Sequence, residues 1–298
     1  MIRYSTLMTF RTLRSASDES VARPHATAVG RRLWVPVTEP SVNSSPSAHR
    51  SASADGRMSE NGCMADFRAR AQRFVEERFP IAEASFLGGS AATGRATESS
   101  DLDILVVLPE QWKADSFVET TDYEGQLVEV FVYGRDALQN WLIKRREGRR
   151  PVLDKLIGEG IALTGGRAAR DLIDGSRRVL DHGPADPDPA ELGVRAYSLS
   201  AVLDDLVDVA DPGERFALKA TVWREAAELA LLIRRRWLGT GKWLFRELLV
   251  GPDEFGLVAW AAGSHDTDDL LKAGRAVLDA AGGRVQAGFL RGVRPPGL

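Results

Sequence analysis

The chain of 298 residues is short of three features that would each indicate a particular class of protein. It has one cysteine, Cys63, so no internal disulfide can form, and a reducing compartment is expected. It contains no run near the ~18 apolar residues that a membrane span requires. Its net charge of -3 provides no excess of Lys and Arg, which argues against a large nucleic-acid surface. We therefore expect a cytoplasmic protein that neither spans a membrane nor binds nucleic acid broadly.

The first part of the chain, residues 1–57, differs in composition from the rest. It is rich in Ser, Arg, Ala and Pro, carries few acids and lacks sustained apolar periodicity. This composition predicts disorder. It matches the composition of an organellar transit peptide, and it is also expected if translation begins at Met58 or Met64 instead of Met1. The residues that follow Met64 are apolar at helical spacing, which predicts an amphipathic helix.

A glycine turn followed by two aspartates is the most informative pattern, and it lies in residues 86–108, FLGGSAATGRATESSDLDILVVL. Gly88 and Gly89 end a short apolar strand, so the backbone can turn sharply and approach a ligand that a Cβ would exclude. If a short helix begins at Ser90, its N–H groups and the serine hydroxyl suit a phosphate. The chain then returns through Ser100 into a second, buried strand.

Acidic side chains follow on two predicted strands. Asp101 and Asp103 share one face of the second strand because side chains alternate along a strand. Two carboxylates without a basic partner raise each other's pKa, and a divalent cation such as Mg²⁺ or Mn²⁺ removes that conflict. Glu129 interrupts the apolar strand of residues 126–133 and offers a third carboxylate. The alternative for Glu129 is an edge-strand residue whose carboxylate reaches solvent.

The spacing of these residues resembles that of the DNA polymerase β-type nucleotidyltransferase superfamily. In residues 87–129, a hydrophobic residue, Gly-Gly-Ser, ten further residues and Asp-x-Asp are followed by a carboxylate on a later strand. The pattern is similar in particular to the small bacterial aminoglycoside and lincosamide nucleotidyltransferases and to the minimal nucleotidyltransferases. No Gly-Lys-Ser/Thr follows the glycines, so the segment is not a Walker loop, and it does not match a dinucleotide-binding fingerprint.

The resemblance implies a role for each residue of the pattern. The residues expected to bind the nucleoside triphosphate, with ATP as the expected donor, are Gly88, Gly89, Ser90 and Ser100. Asp101 and Asp103 would hold two Mg²⁺ ions, or Mn²⁺, and Glu129 would complete the catalytic and metal-binding triad. The implied reaction transfers a nucleoside monophosphate to a hydroxyl group and releases pyrophosphate.

The order of predicted elements indicates an α/β (α+β) fold. A small mixed β-sheet with helices on one side is expected for a nucleotidyltransferase domain in residues 58–182. A Pro-rich linker follows, and helical periodicity in residues 183–298 predicts an all-helical C-terminal domain that contacts the substrate or a partner. Its central helix is expected to continue to Gly239.

Several further residues allow two interpretations each. The basic runs in residues 144–150 and 234–236 could contact triphosphate or RNA, although such runs are more often solvated helix faces. Lys242 is a plausible contact to phosphate or to an acceptor. The tryptophans that could line a pocket or belong to the core are Trp237, Trp243 and Trp260. The histidines His182 and His265 are expected on surface loops.

Three functions remain open from the sequence. The first is an enzyme that modifies a small hydroxylated molecule, such as an aminoglycoside, in a cleft between the domains. The second is an antitoxin-like transferase acting on protein or RNA, although such proteins are usually shorter and work with a separate helical partner. The third is a non-catalytic nucleotide-binding regulator, against which the intact triad argues. A homodimer is compatible with each of them.

Overall fold

The computed structural model describes residues 60–97, 99–295 and 297. These residues fall within one compact unit, Gly56–Leu298. The expectations for residues 1–57, including the question of the start codon, lie outside the described residues. In the described part of the chain, no helix combines the length and the apolar character needed to cross a membrane.

A mixed five-stranded sheet forms the centre of the first half of this unit. Its strands are β1 (Ala84–Leu87), β2 (Leu102–Leu108), β3 (Ser116–Tyr123), β4 (Gln126–Gly134) and β5 (Ile161–Thr164). They lie in the order β3-β4-β2-β1-β5. Strands β2 and β4 are parallel, and the other neighbouring pairs are antiparallel. The predicted mixed sheet is confirmed, and β3 is an additional strand that the sequence pattern does not indicate.

Helices flank the sheet and make up the second half of the unit. They are α1 (Glu60–Arg78), α2 (Gly89–Ala92), α3 (Arg135–Glu147), α4 (Val152–Gly158), α5 (Gly166–His182), α6 (Pro189–Asp208), α7 (Pro212–Ile233), α8 (Lys242–Leu249), α9 (Leu257–Ala259) and α10 (Thr267–Ala280). A π-helical turn, Trp260–Ser264, extends α9. The predicted combination of a mixed sheet and a helical C-terminal region is confirmed.

Apolar side chains cover both faces of the sheet. On one face, Phe74 of α1 packs in the same cluster as Ile104 of β2. On the other face, Leu105 of β2 clusters with Leu138 of α3 and Leu153 of α4. The expectation of helices on one side is therefore wrong. Strand β2 reads as a nearly continuous apolar run because both of its faces are covered by helices.

The C-terminal helices share a separate apolar core. The carboxylates of Asp188 and Asp211 cap the first turns of α6 and α7 by accepting backbone N–H bonds. Helix α7 ends at Ile233, so the expected continuation to Gly239 is wrong. Arg235 has a φ of 54°, which no right-handed helix accommodates. The apolar spacing beyond Ile233 belongs to a loop whose residues are buried by packing.

Charge pairs join the sheet to the C-terminal helices. The guanidinium of Arg149 donates to two carbonyl oxygens of the linker before α6, at 2.6 and 3.1 Å, and lies 3.2 Å from Glu191. Arg150 pairs with Glu228 of α7 at 2.8 Å. Arg149 and Arg150, at the end of the basic run in residues 144–150, thus have structural partners, and a contact of this run with triphosphate or RNA stays a prediction. The domain division after residue 182 stays a prediction.

Candidate active site

The glycine turn after β1 packs directly against one of the predicted aspartates. The Gly88 N–H donates to the Asp103 carbonyl at 2.8 Å. A Cβ on Gly88 would lie 2.4 Å from Leu156 Cδ2, and a Cβ on Gly89 would lie 1.8 Å from Asp103 Oδ2. Gly89 also has a φ of 62°, which side chains other than that of glycine rarely adopt. Gly89 therefore makes room for the carboxylate of Asp103, and Gly88 makes room for Leu156.

The serine that follows the glycines is buried in α2, a single helical turn. The Ser90 carbonyl accepts hydrogen bonds from the Arg95 N–H at 3.0 Å and from Thr93 Oγ1 at 3.5 Å. These bonds close the loop that leads back toward β2. The short helix that the sequence predicts at Ser90 is present. The roles of Gly88, Gly89 and Ser90 in nucleotide binding stay predictions.

The second predicted serine, Ser100, shapes the loop in front of Asp101. Its Oγ accepts the Thr97 N–H at 2.9 Å. Its carbonyl oxygen accepts from Gln126 Nε2 at the start of β4, and Gln126 Oε1 accepts from Arg70 of α1 at 3.1 Å. Gln126 is only 8% exposed and supports the loop, although the sequence pattern does not indicate it. A contact between Ser100 and a nucleotide stays a prediction.

The three predicted carboxylates come together at one end of the β2–β4 pair. Asp101 precedes β2 by one residue, and Asp103 lies within it. Glu129 is the register partner of Asp103 on the parallel strand β4. Each residue offers a carboxylate oxygen, and these oxygens all lie within 4.8 Å of one another. Since β4 lies between β3 and β2, the alternative of an edge-strand Glu129 is wrong.

The charges of this cluster are not neutralised by ion pairs. Among the described side chains, no basic group pairs directly with any of the three carboxylates. Burial raises the pKa of Asp103 to about 7; Asp101 and Glu129 add to the rise, and Lys242 opposes it. Burial and the charge of Asp101 also raise the pKa of Glu129. The cluster would therefore be stabilised by added positive charge.

The donor set of the cluster fits a divalent cation. Carboxylate oxygens are the hard ligands that Mg²⁺ and Mn²⁺ prefer. Three of them within 4.8 Å, half-buried and lacking ion pairs in the described part of the chain, can converge on one ion or bridge two. Asp101, Asp103 and Glu129 are thus the residues that would hold metal. The identity and the number of the ions stay predictions.

One basic side chain lies near the cluster, and two others lie near each other. Lys242, the first residue of α8, is close enough to Asp103 to lower the pKa of its carboxyl. Arg246 packs its guanidinium 4.5 Å from the centre of the Trp243 ring, and its Nη1 is buried without a hydrogen-bond partner in the described residues. Burial and the nearby charge of Arg95 lower the pKa of Arg246. The sequence pattern points to Lys242 but to neither arginine.

The other tryptophans and the histidines have varied surroundings. Trp237 is buried and donates its indole N–H to the Leu180 carbonyl at 3.1 Å, so it belongs to the core. Trp260 lines a cavity among the C-terminal helices, and His265 packs edge-on against it with ring centroids 5.5 Å apart. His182 is the exposed last residue of α5 and not a loop residue.

The described residues thus combine a small mixed sheet, a glycine turn and three adjacent carboxylates. Residues 69–150 match the family model of the nucleotidyltransferase domain. This span contains the predicted nucleotide-binding residues and the predicted triad: Gly88, Gly89, Ser90, Ser100, Asp101, Asp103 and Glu129. Residues 69–150 are thus similar to a nucleotidyltransferase domain, and over this span the predicted resemblance to the polymerase β-type nucleotidyltransferases is confirmed.

Whole-chain comparisons find distant similarity. A solved structure of a nucleotidyltransferase-like protein from Exiguobacterium sibiricum 255-15 is 12% identical to this chain. The alignment covers 72% of this chain and 74% of that chain, with a TM-score of 0.39. No curated protein sequence matches this chain.

Proposed function

We propose that this chain is a metal-dependent nucleotidyltransferase acting on a small molecule. It would move a nucleoside monophosphate from a nucleoside triphosphate, with ATP as the expected donor, to a hydroxyl of the acceptor. The observation that carries the proposal is the cluster of Asp101, Asp103 and Glu129, whose carboxylate oxygens lie within 4.8 Å of one another. Carboxylates that repel each other in this way favour a bound cation, and phosphoryl chemistry needs that cation to shield its phosphates.

Each side chain of the cluster has a role in this reaction. Divalent cations bound there would neutralise charge on the phosphates and make the acceptor hydroxyl more acidic. Asp101 and Asp103 would hold them, and the contact with Gly89 would keep the Asp103 carboxylate in place. Glu129, whose pKa burial raises, would accept the proton of the hydroxyl. The acceptor oxygen forms a bond to the α-phosphorus while the bond to pyrophosphate breaks.

Three basic side chains support a position for the triphosphate: Lys242 near Asp103, and the neighbouring pair Arg246 and Arg95. Arg246 has a buried Nη1 without a hydrogen-bond partner in the described residues, and a phosphate oxygen would satisfy this donor. Arg95 lies near enough to Arg246 to lower the pKa of its guanidinium. Like charges held close together favour an anion between them. Lys242 lies close to Asp103 and would contact the same phosphates.

A transfer assay with ATP labelled at the α-phosphate tests the proposal. The protein, Mg²⁺, labelled ATP and separate panels of hydroxylated small molecules, RNA and proteins are incubated together. We expect label on a small molecule and an equal amount of pyrophosphate. The double substitution Asp101→Asn with Asp103→Asn should abolish transfer. Glu119→Gln changes an exposed acid on β3 of the same sheet and should leave transfer intact.

The remaining outcomes of the assay separate the other functions. Label on RNA or protein would favour the antitoxin-like transferase, and nucleotide binding without transfer to any panel would favour the regulator. Full activity in the double variant would refute the site. Paramagnetic resonance of added Mn²⁺ provides a second readout, because the double variant should lose bound Mn²⁺ whether or not an acceptor has been found.

A further inference from the structure

We infer that a cavity among the C-terminal helices binds the acceptor, and that the acceptor has a flat apolar body with an anionic group. The inference rests on the proposed function for the transfer that follows binding. The cavity has a volume of about 880 Å³ and is lined by Arg150, by α7, by residues 239–241 and 244–245, and by the π-helical turn after α9 with His265. This volume is in the range of sites for drug-sized molecules.

One short segment contributes both to the cavity and to the acidic site. Gly239, Gly241 and Leu244 line the cavity. Helix α8 begins in the same segment, and its Glu247 accepts from Lys155 of α4. The neighbouring Leu156 of α4 packs against Gly88 in the turn beside Asp103. Gly241 has φ 55° and ψ -126°, and a Cβ there would meet no atom within 4 Å. Gly241 therefore leaves open space in the segment that joins the cavity to α8.

Aromatic rings form much of the cavity wall. The indole N–H of Trp223 donates to the Leu257 carbonyl at 2.9 Å, and that of Trp260 donates to the Asp266 carbonyl at 2.6 Å. Since both donors are already used by the backbone, these rings offer a ligand only apolar and π surface. Phe216 also lines the cavity and is 78% exposed, which is unusual for a large aromatic side chain. This lining fits a flat apolar or aromatic body.

The acidic lining of the cavity is already neutralised. Glu228 is the one acidic residue among the described residues that line the cavity. Its Oε1 accepts from Arg150 at 2.8 Å, and its Oε2 accepts from Arg195 at 2.8 Å. Both carboxylate oxygens are thus engaged by guanidinium groups. No lining carboxylate in the described part of the chain is left to bind an ammonium group of a ligand.

Two cationic side chains in the cavity lining can still bind an anion. Lys219 donates to the His265 carbonyl at 2.8 Å, and an ammonium has two donors beyond that one. Arg224 has a side chain that is 57% exposed, and its pairing with Glu225 is of the weak surface kind. These positive charges would repel a polycation such as an aminoglycoside, and no lining carboxylate in the described part of the chain is free to bind it. A carboxylate, sulfate or phosphate on an aromatic molecule would bind them.

Matched aromatic probes test the sign of the charge that the cavity selects. Titration calorimetry of the full chain would compare naphthoate with naphthylmethylammonium, which carry the same ring system and opposite charges. We expect naphthoate to bind about tenfold more tightly, a difference of about 1.4 kcal/mol. Lys219→Gln with Arg224→Gln should remove the preference. Lys272→Gln with Arg275→Gln changes exposed cations of α10 outside the cavity lining and should preserve it.

The outcomes distinguish this inference from the proposed function. Tighter or equal binding of naphthylmethylammonium, binding of neither probe, or a preference unchanged by Lys219→Gln with Arg224→Gln would each overturn the inference. Failure of the proposed function has another signature. Naphthoate would then bind with the expected preference, while neither hydroxynaphthoate nor any other acceptor would receive label from ATP.

Discussion

Acidic side chains lie in two kinds of surroundings in this chain, and their partners differ. In the helical half, Glu228 lies between two arginines, and beneath the sheet the fully buried Asp154 accepts two bonds from Arg146, at 2.7 and 3.0 Å. The triad at the end of β2 and β4 places three carboxylates within 4.8 Å of one another, without an ion pair in the described part of the chain. Paired acids hold distant segments together, whereas the unpaired triad carries the negative charge that the proposed metal site would need.

The two groups of acids should therefore affect stability with opposite signs. Removing the charge of a buried paired acid leaves a partly buried arginine uncompensated, which is strongly destabilising. Removing the charge of an acid in the triad relieves repulsion and the cost of burial. Substitutions in the two groups test whether the acids that lack an ion pair serve function and the acids that have one serve stability.

The largest change in stability is expected for Asp154→Asn. It should lower the free energy of unfolding by about 3 kcal/mol, because Arg146 loses a charged partner in a buried site. Urea unfolding of the metal-free protein measures the change. Asp171→Asn is the matched control on α5, where an exposed acid pairs with Arg167, and it should change stability by less than about 0.5 kcal/mol. Equal effects of the two substitutions would contradict the contrast between buried and exposed pairs.

The contact between the glycine turn and the triad can be tested with Gly89→Ala. The new Cβ would lie 1.8 Å from Asp103 Oδ2, so the carboxylate must move, and transfer should fall about a hundredfold. Gly125→Ala is the control because Gly125 also has a positive φ, 75°, but a Cβ there meets nothing within 4 Å. Initial rates of label transfer compare the two variants. Equal losses would mean that backbone conformation, and not the carboxylate contact, is responsible.

The unpaired charge of Asp103 should destabilise the metal-free protein at neutral pH. The pKa of Asp103 is raised from 3.8 to about 7, so between these values the folded state holds a proton that the unfolded chain releases. The contribution of this group to stability therefore falls as pH rises through that window. At about pH 8, Asp103→Asn should stabilise the metal-free protein by on the order of 1–2 kcal/mol. Urea unfolding that shows destabilisation instead would contradict the pKa shift.

Metal affinity should depend on the same proton. Because Asp103 must lose its proton to bind a cation, Mn²⁺ affinity should fall about tenfold for each pH unit below about 7. Paramagnetic resonance titrations at several pH values measure this slope without an acceptor. An affinity that is flat between about pH 5 and 7 would show that Asp103 is already ionised.

The smallest effect is expected at Lys242. The charge of Lys242 lowers the pKa of Asp103, so Lys242→Gln should move the pH dependence of Mn²⁺ binding upward by a fraction of a pH unit. It should also weaken ATP binding several-fold if Lys242 contacts phosphate. Lys272→Gln, on the exposed surface of α10, is the control. An unchanged pH dependence for Lys242→Gln would place its charge away from the triad.

The parts of the fold that the sequence pattern does not indicate have physical reasons. Strand β3 carries polar and charged side chains because it lies at the exposed edge of the sheet and buries little apolar surface. It is held to β4 by a two-residue turn at Glu124 and Gly125, both with positive φ. Helix α7 ends early because Arg235 adopts a left-handed backbone, although the apolar spacing continues past it.

The spacing of residues in the sequence is sufficient to predict the glycine turn. It also puts Asp101 and Asp103 on one face of a strand, because the alternation of side chains along a strand is a local property. Other relations depend on packing between distant segments. The parallel register that aligns Glu129 with Asp103 is one of them, and the approach of Lys242 to Asp103 is another. The neutralisation of Glu228 by two arginines is a third. Charges far apart in the chain influence one another only after folding, since electrostatic interactions depend on separation in space and on burial.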